Sequence, residues 1–200
     1  MRETDDRVEL LAGKVVLLSS TALATEFAFG RLASAVGCGS LRHVVVGGLG
    51  FGATLRGVLD VAAPDTRVIV VEKVDAIVRL VRGPLAHLAA DALEDARVQL
   101  VRGDVANVVA AAASDVDAIL LDVDNGPHWA SFRTNARLYT LPGLAGLKRA
   151  LAPRGVVAVW SGYRADFFLG RLRSAGFMPS VVPLEENGGR VRARAYVGRT

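Results

Sequence analysis

Val44-Val45-Val46-Gly47-Gly48-Leu49-Gly50-Phe51-Gly52 is followed without interruption by an apolar helical pattern, Ala53 to Val61. A buried strand therefore ends on a glycine turn, and a helix starts straight after it. Glycine is required where the backbone takes positive φ or where a Cβ would block a ligand. The free N–H groups of the following helix favour polar ligand groups. The stretch reads as a nucleotide-type cofactor site on an α/β sheet.

Two further strand ends fit that site. Arg67-Val68-Ile69-Val70-Val71 ends on Glu72, 20 positions after Gly52, where a carboxylate can accept both hydroxyls of a ribose. Arg97-Val98-Gln99-Leu100-Val101 ends in Arg102-Gly103-Asp104-Val105, and an Asp at this place can accept from an adenine amino group. The spacing of Gly48, Gly50 and Gly52 is G-x-G-x-G, that of S-adenosylmethionine-type sites, whereas the dinucleotide fingerprint requires G-x-G-x-x-G. The expected cofactor set is Gly47, Gly48, Gly50, Gly52, Glu72, Lys73, Asp104 and Val105, with Asp122 beside it, and no metal.

Apolar runs alternate with helical patterns along most of the chain, which predicts a doubly wound, mostly parallel sheet covered by helices on both faces. Strands are expected at Arg42 to Val46, Arg67 to Val71, Arg97 to Val101, Ala118 to Leu121 and Val156 to Trp160. Helices are expected at Ala53 to Val61, Val74 to Arg82, Val105 to Ala112, Pro142 to Leu151 and Ala165 to Ala175. Ser180 to Leu184 and Arg190 to Val197, joined by Glu185-Glu186-Asn187-Gly188-Gly189, read as a closing antiparallel hairpin. A Rossmann-like sheet closed in this way is the class I methyltransferase architecture. Val15 to Leu18 reads as a short strand and Ala22 to Val36 as a helix. Residues 1–40 are thus an N-terminal extension forming one wall of the site, and residues 41–200 the cofactor-binding domain.

Composition narrows the function classes. The 200 residues, 52% hydrophobic and 6% aromatic, describe one ordered aliphatic core. Cys38 has no partner for an internal disulfide, and His43, His87 and His128 lack metal-ligand spacing, so a cytoplasmic protein is expected. Val15 to Gly30 follows the acidic Glu3-Thr4-Asp5-Asp6 and contains Glu26, which fits neither a signal peptide nor a membrane span. The net charge of +4 comes almost wholly from arginine, Lys14, Lys73 and Lys148 being the only lysines. Arg190, Arg192 and Arg194 alternate with Val191, Ala193 and Ala195 as one solvated strand face, so nucleic acid is not an expected partner.

With these pieces placed, the chain resembles the spermidine synthase family of polyamine aminopropyltransferases, in particular its short spermidine synthase-like members. The matching stretches run from Val45-Val46-Gly47-Gly48 to Gly52-Ala53-Thr54-Leu55-Arg56, then Val70-Val71-Glu72, Gly103-Asp104-Val105, Asp117 to Asp122, Leu138-Tyr139-Thr140 and Leu151 to Val156. The resemblance implies decarboxylated S-adenosylmethionine or S-adenosylmethionine as cofactor and a small amine as partner, with a homodimer admitted. Four departures stand beside it, the first being that the family's large N-terminal hairpin domain is reduced to a stub. The Asp that holds the aminopropyl ammonium in the family's glycine turn is replaced by Leu49-Gly50-Phe51. The Asp-x-x-Asp-Pro loop becomes Asp122-Val123-Asp124-Asn125-Gly126-Pro127, where Asp122 matches the first carboxylate and Asn125 stands in place of the second. A Tyr-His pair near Glu26 becomes Phe27-Ala28-Phe29.

Asp122, after the fourth strand, lies where α/β sheets bind ligands, and Asp124 points to the same side if the chain stays extended. Two acidic groups near a sulfonium suit a cationic amine, so Asp122 and Asp124 are the candidate catalytic residues. Turn composition accounts equally well for 124–127. Asn125, Trp129 and Tyr139 are the candidate substrate residues, Trp160-Ser161-Gly162 borders the site, and His128 reads as a surface residue. The expected function is transfer from a SAM-type cofactor to a small amine. The alternatives are small-molecule methyl transfer and a non-catalytic nucleoside-binding subunit.

Overall fold

The computed structural model describes residues 2–4, 7–12, 15–36, 41–123, 126–127, 135–186 and 189–200. Cys38, Asp124, Asn125, His128, Trp129 and the Asn187-Gly188 turn lie outside the described residues. The chain begins with β1 (Arg2–Thr4), β2 (Arg7–Ala12), β3 (Val15–Ser19) and α1 (Leu23–Val36). There follow β4 (His43–Gly47), α2 (Ala53–Val61), β5 (Arg67–Glu72), α3 (Asp75–Arg82), β6 (Val98–Arg102), α4 (Val105–Ala111) and β7 (Val116–Leu121). The last part holds α5 (Leu141–Ala150), β8 (Leu151–Ser161), α6 (Phe167–Ser174), β9 (Met178–Glu186) and β10 (Arg190–Arg199).

Seven strands form one sheet in the order β6-β5-β4-β7-β8-β10-β9. β4 pairs in parallel with both β5 and β7, while β10 runs antiparallel to β8 and to β9. The period of two along each strand sends neighbours to opposite faces. Val44, Val46, Val68, Val70, Ala118 and Leu120 pack on Phe29 of α1 and on Leu55 and Val58 of α2. Val45, Val71, Ile119, Leu121, Val157 and Val159 pack on Val109 of α4, Leu144 and Leu147 of α5 and Phe168 of α6. Strands apolar on both faces belong in the middle of such a sandwich, and the doubly wound fold follows. This order, with its antiparallel closing pair, is that of the class I methyltransferases.

The observed elements agree with the sequence periodicity within two residues, apart from β8 and the N-terminus. β8 starts at Leu151, where the sequence reads a helix end, because Ala152 to Gly155 form an irregularity in its pairing with β7: Val116 faces Leu151 and Ala118 faces Val156. Pro153 and the positive φ of Arg154, 66°, hide this from a propensity reading. At the N-terminus the expected strand and helix are joined by β1 and β2, forming a three-stranded antiparallel sheet β1-β2-β3. The pattern of β2 is masked by Glu9, which is buried with Val8 and Leu10 because Arg2 and Arg7 pair with its carboxylate. Val8 and Leu10 pack on Phe51 and Leu85, so the glycine turn's own aromatic residue anchors this small sheet.

α1 and α2 touch backbone to backbone through two glycines. A Cβ on Gly30 would lie 2.1 Å from the Thr54 carbonyl oxygen, and one on Gly57 2.2 Å from that of Phe27. Gly57→Ala is expected to force the helices apart and lower Tm by about 3–10 °C, from an overpacking cost of about 1–3 kcal/mol. Gly170→Ala in α6, whose Cβ meets nothing within 4 Å, is expected to raise Tm slightly. Scanning calorimetry of the two variants checks both signs.

Candidate functional site

A cleft of about 460 Å³ opens at the carboxyl ends of β4 to β8. Its position is set by topology: β4 and β7 are neighbours whose following helices lie on opposite faces, which leaves a crevice between their ends. The glycine turn forms its floor. Gly48 takes φ 88°, and a Cβ there would lie 2.2 Å from the Asp122 carbonyl oxygen, so this glycine is demanded by the protein itself. Gly52, at φ 88°, is the N-cap of α2, and a Cβ on it would lie 2.7 Å from Ala89. Gly50 differs. It takes φ 52°, and the nearest atom to a Cβ there is Leu18 Cδ2 at 3.9 Å, so open space lies above it. Gly47 is packed under Leu121 and Val105.

Asn tolerates the left-handed region, so Gly50→Asn keeps the turn and places a side chain in the cleft. Thermal stabilisation by adenosyl ligands is expected to vanish in Gly50→Asn while the unliganded Tm changes little. Undiminished stabilisation in a thermal-shift measurement would contradict it.

Glu72 ends β5 and lines the cleft, yet it is 7% exposed. Its Oε2 accepts from the Leu49 N–H at 2.9 Å and its Oε1 from the Val74 N–H at 2.7 Å. The carboxylate thus pins the glycine turn to the start of α3, a task the sequence reading did not foresee. Each oxygen keeps a second lone pair, so ribose hydroxyls can still be accepted. Asp104 is the N-cap of α4: Oδ1 accepts from the Ala106 N–H at 3.0 Å. Its Oδ2 pairs with Lys73 Nζ at 3.2 Å and with Arg137 at 2.9 Å. Burial raises its pKa, but the Ala106 N–H, Lys73 and Arg137 outweigh burial and hold the carboxyl below the usual range. An adenine amino group here would share Asp104 with two cations.

On the other side of the turn, Asp122 follows β7. Its N–H donates to the Gly47 carbonyl at 2.8 Å, and its Oδ2 accepts from Thr54 Oγ1 at 2.6 Å. Thr54, the second residue of α2, is not among the expected site residues, and only the fold brings it there. Lys73, Val105 and Asp122 all line the cleft. Tyr139 does not: it is 1% exposed and packs edge-on against Phe168 at 5.8 Å, within the core under α5 and α6. Trp160 borders the cleft as expected, and among the described residues its indole N–H is buried without an acceptor.

Residues of β3, of the turn after it and of α1 also line the cleft. Val16, Leu18, Ser19 and Thr21, with Ala22 and Glu26 beyond them, reach the cleft. Burial first, and then the facing Asp122 carboxylate, push Glu26 well above the usual carboxylate range. Below about pH 4 Glu26 is protonated in both folded and unfolded chains and costs nothing. Above that, the unfolded chain releases the proton while the folded one holds it, so stability falls as pH rises towards the raised value. Glu26→Gln is therefore expected to have a higher Tm than the parent at pH 7, by about 2–4 °C for each kcal/mol relieved, and the same Tm near pH 4. A scanning-calorimetry series against pH checks it.

Among the described residues, no group of His, Cys, Asp and Glu is placed to hold a metal, and no helix is long and apolar enough to cross a membrane. A class I methyltransferase sheet with a glycine turn and an acid at the end of the second core strand defines a SAM-type fold. Within that class, residues 33–163 match the spermine/spermidine synthase domain, and the chain belongs to this family.

Solved structures show the same fold. Spermidine synthase from Thermotoga maritima superposes with a TM-score of 0.68 at 17% identity. Spermidine synthase in complex with the transition-state analogue AdoDATO gives 0.67 at 16% identity. In both cases 92% of this chain is covered, and it spans only 62% of the other. The 1,6-didemethyltoxoflavin-N1-methyltransferase of Burkholderia thailandensis, with bound 1,6-didemethyltoxoflavin and S-adenosylhomocysteine, gives 0.61 at 18% identity, covering 90% of this chain and 80% of that one. No match was found among curated proteins.

Proposed function

We propose that this chain is a cytosolic transferase that takes decarboxylated S-adenosylmethionine or S-adenosylmethionine and transfers a group from it to a small amine. One observation carries the reading: Glu72 and Asp122 line the same cleft from the ends of β5 and β7, one beside the glycine turn and one beyond it. The first suits a ribose and the second an amine. In this reading residues 41–200 form the cofactor domain, and residues 1–40 the extension that closes the acceptor side.

The cleft fits such a cofactor. Gly50 leaves open space above the turn, Glu72 keeps acceptor capacity, and the volume falls in the range of small-molecule sites. When bound, the cofactor supplies a carbon made electrophilic by the adjoining sulfonium. The protein's share is to hold Glu72 on the ribose and to place the amine in line with that carbon. The Asp122 carboxylate then accepts the proton that the ammonium must lose before its nitrogen can attack. Thr54 Oγ1, bonded to Oδ2, fixes the orientation of that carboxylate.

Methyl transfer is the second reading. Leu49-Gly50-Phe51 puts no carboxylate in the glycine turn, and Phe51 is committed to the N-terminal sheet. Transfer from each cofactor to a panel of mono- and diamines, followed by mass spectrometry, tests both. Propylamine transfer supports the first reading and methyl transfer the second, whereas binding of both cofactors with no product from any amine would overturn the enzymatic one.

A further inference from the structure

Helix α1 brings a carboxylate, Glu26, to the side of the cleft where Asp122 follows β7. Glu26 lines the cleft together with Asp122. Thr54 ties the two positions together: its Oγ1 donates to Asp122 Oδ2 at 2.6 Å and lies 3.2 Å from the Glu26 main-chain oxygen. The close Gly30–Gly57 contact is what allows α1 to come this near α2. The main chain at Glu26 is therefore held beside Thr54 by helix packing.

The other acids of the cleft are engaged differently. Glu72 accepts two backbone N–H groups, and Asp104 accepts one and pairs with Lys73 and Arg137. Among the described residues no donor reaches the Glu26 carboxylate. Of the titratable groups lining the cleft, which are Glu72, Lys73, Asp104, Asp122 and Tyr163, only Asp122 acts on Glu26 through its charge. Leu18, Ala22 and Trp160 add apolar wall. Two carboxylates in such surroundings repel one another and are poorly solvated, a cost that a cation placed between them removes.

We propose that Glu26 is the second carboxylate of the acceptor site, forming with Asp122 the acidic pair that receives the ammonium group of the amine. The pair holds one proton before the amine arrives. Docking of the ammonium makes two negative charges favourable, and the proton leaves to solvent. This rests on the amine-acceptor reading above.

The test is calorimetric titration of putrescine and of n-butylamine into the protein saturated with methylthioadenosine, in two buffers of different ionisation enthalpy. The parent is expected to bind at least one of the amines with proton release. Glu26→Gln is expected to bind about 10- to 100-fold more weakly without proton release, and to keep its methylthioadenosine affinity, which also shows that it is folded. Glu26→Asp, which keeps the charge on a shorter arm, is expected to fall between. Equal amine affinity and equal proton release in the parent and Glu26→Gln would overturn the role of Glu26 and leave the amine reading standing. No amine binding by the parent would overturn the amine reading, and this inference with it.

Discussion

Glu72→Gln is expected to bind every adenosyl ligand about ten- to a hundredfold more weakly than the parent and to unfold at a lower temperature. The affinity loss follows from removing a charge-assisted acceptor for two ribose hydroxyls, worth about 1.5–3 kcal/mol. The stability loss follows from the geometry. Both oxygens of Glu72 accept from backbone N–H groups, that of Leu49 buried and that of Val74 partly buried. A glutamine has one oxygen, so its amide nitrogen must face one of those donors, and a buried donor left unsatisfied costs about 1–3 kcal/mol. In a chain of this size that is a fall of about 2–10 °C in Tm. Titration calorimetry and scanning calorimetry measure the two effects separately. Parent-like affinity in the variant would remove Glu72 from the ribose site, even if Tm fell.

Asp122→Asn is expected to reduce turnover about 10²- to 10⁴-fold while leaving cofactor affinity within a few fold. The substitution is nearly isosteric, and its amide oxygen can still accept from Thr54 Oγ1, so the turn and the cofactor side keep their shape. What is lost is the negative charge and the proton acceptor. Steady-state kinetics on whichever amine reacts, beside cofactor titration, separate the two quantities. Full turnover in Asp122→Asn would contradict its role as base, and a large loss of cofactor affinity would place it on the cofactor instead.

The core strands and the glycine turn could be read from residues alone because their main causes are local. Val44, Val45 and Val46 are all buried, on alternate faces as the strand period requires, and the positive φ of Gly48, Gly50 and Gly52 is a demand that glycine meets within the turn itself. What escaped the sequence was long-range. Glu26 looks like the polar residue of an apolar helix until α1 is packed on α2, which places it opposite Asp122. Glu9 is a buried acid whose partners, Arg2 and Arg7, are known only once β1 and β2 pair. Tyr139, at the end of the short 3-10 turn Asn135–Tyr139, reads as a place for a ligand, but Phe168 of α6 covers it. Asp104 shows the reverse case. Its place before α4 is legible as a helix cap, yet the cap and the expected adenine contact compete for one side chain.

The central claim is that the cleft at the ends of β4, β5 and β7 holds a SAM-type cofactor. Parallel titrations of the parent with S-adenosylmethionine, decarboxylated S-adenosylmethionine and methylthioadenosine measure it directly. The account requires saturable one-to-one binding of at least one of the three, abolished in Gly50→Asn. Absence of heat for all three, in protein shown to be folded by its cooperative Tm, would contradict it.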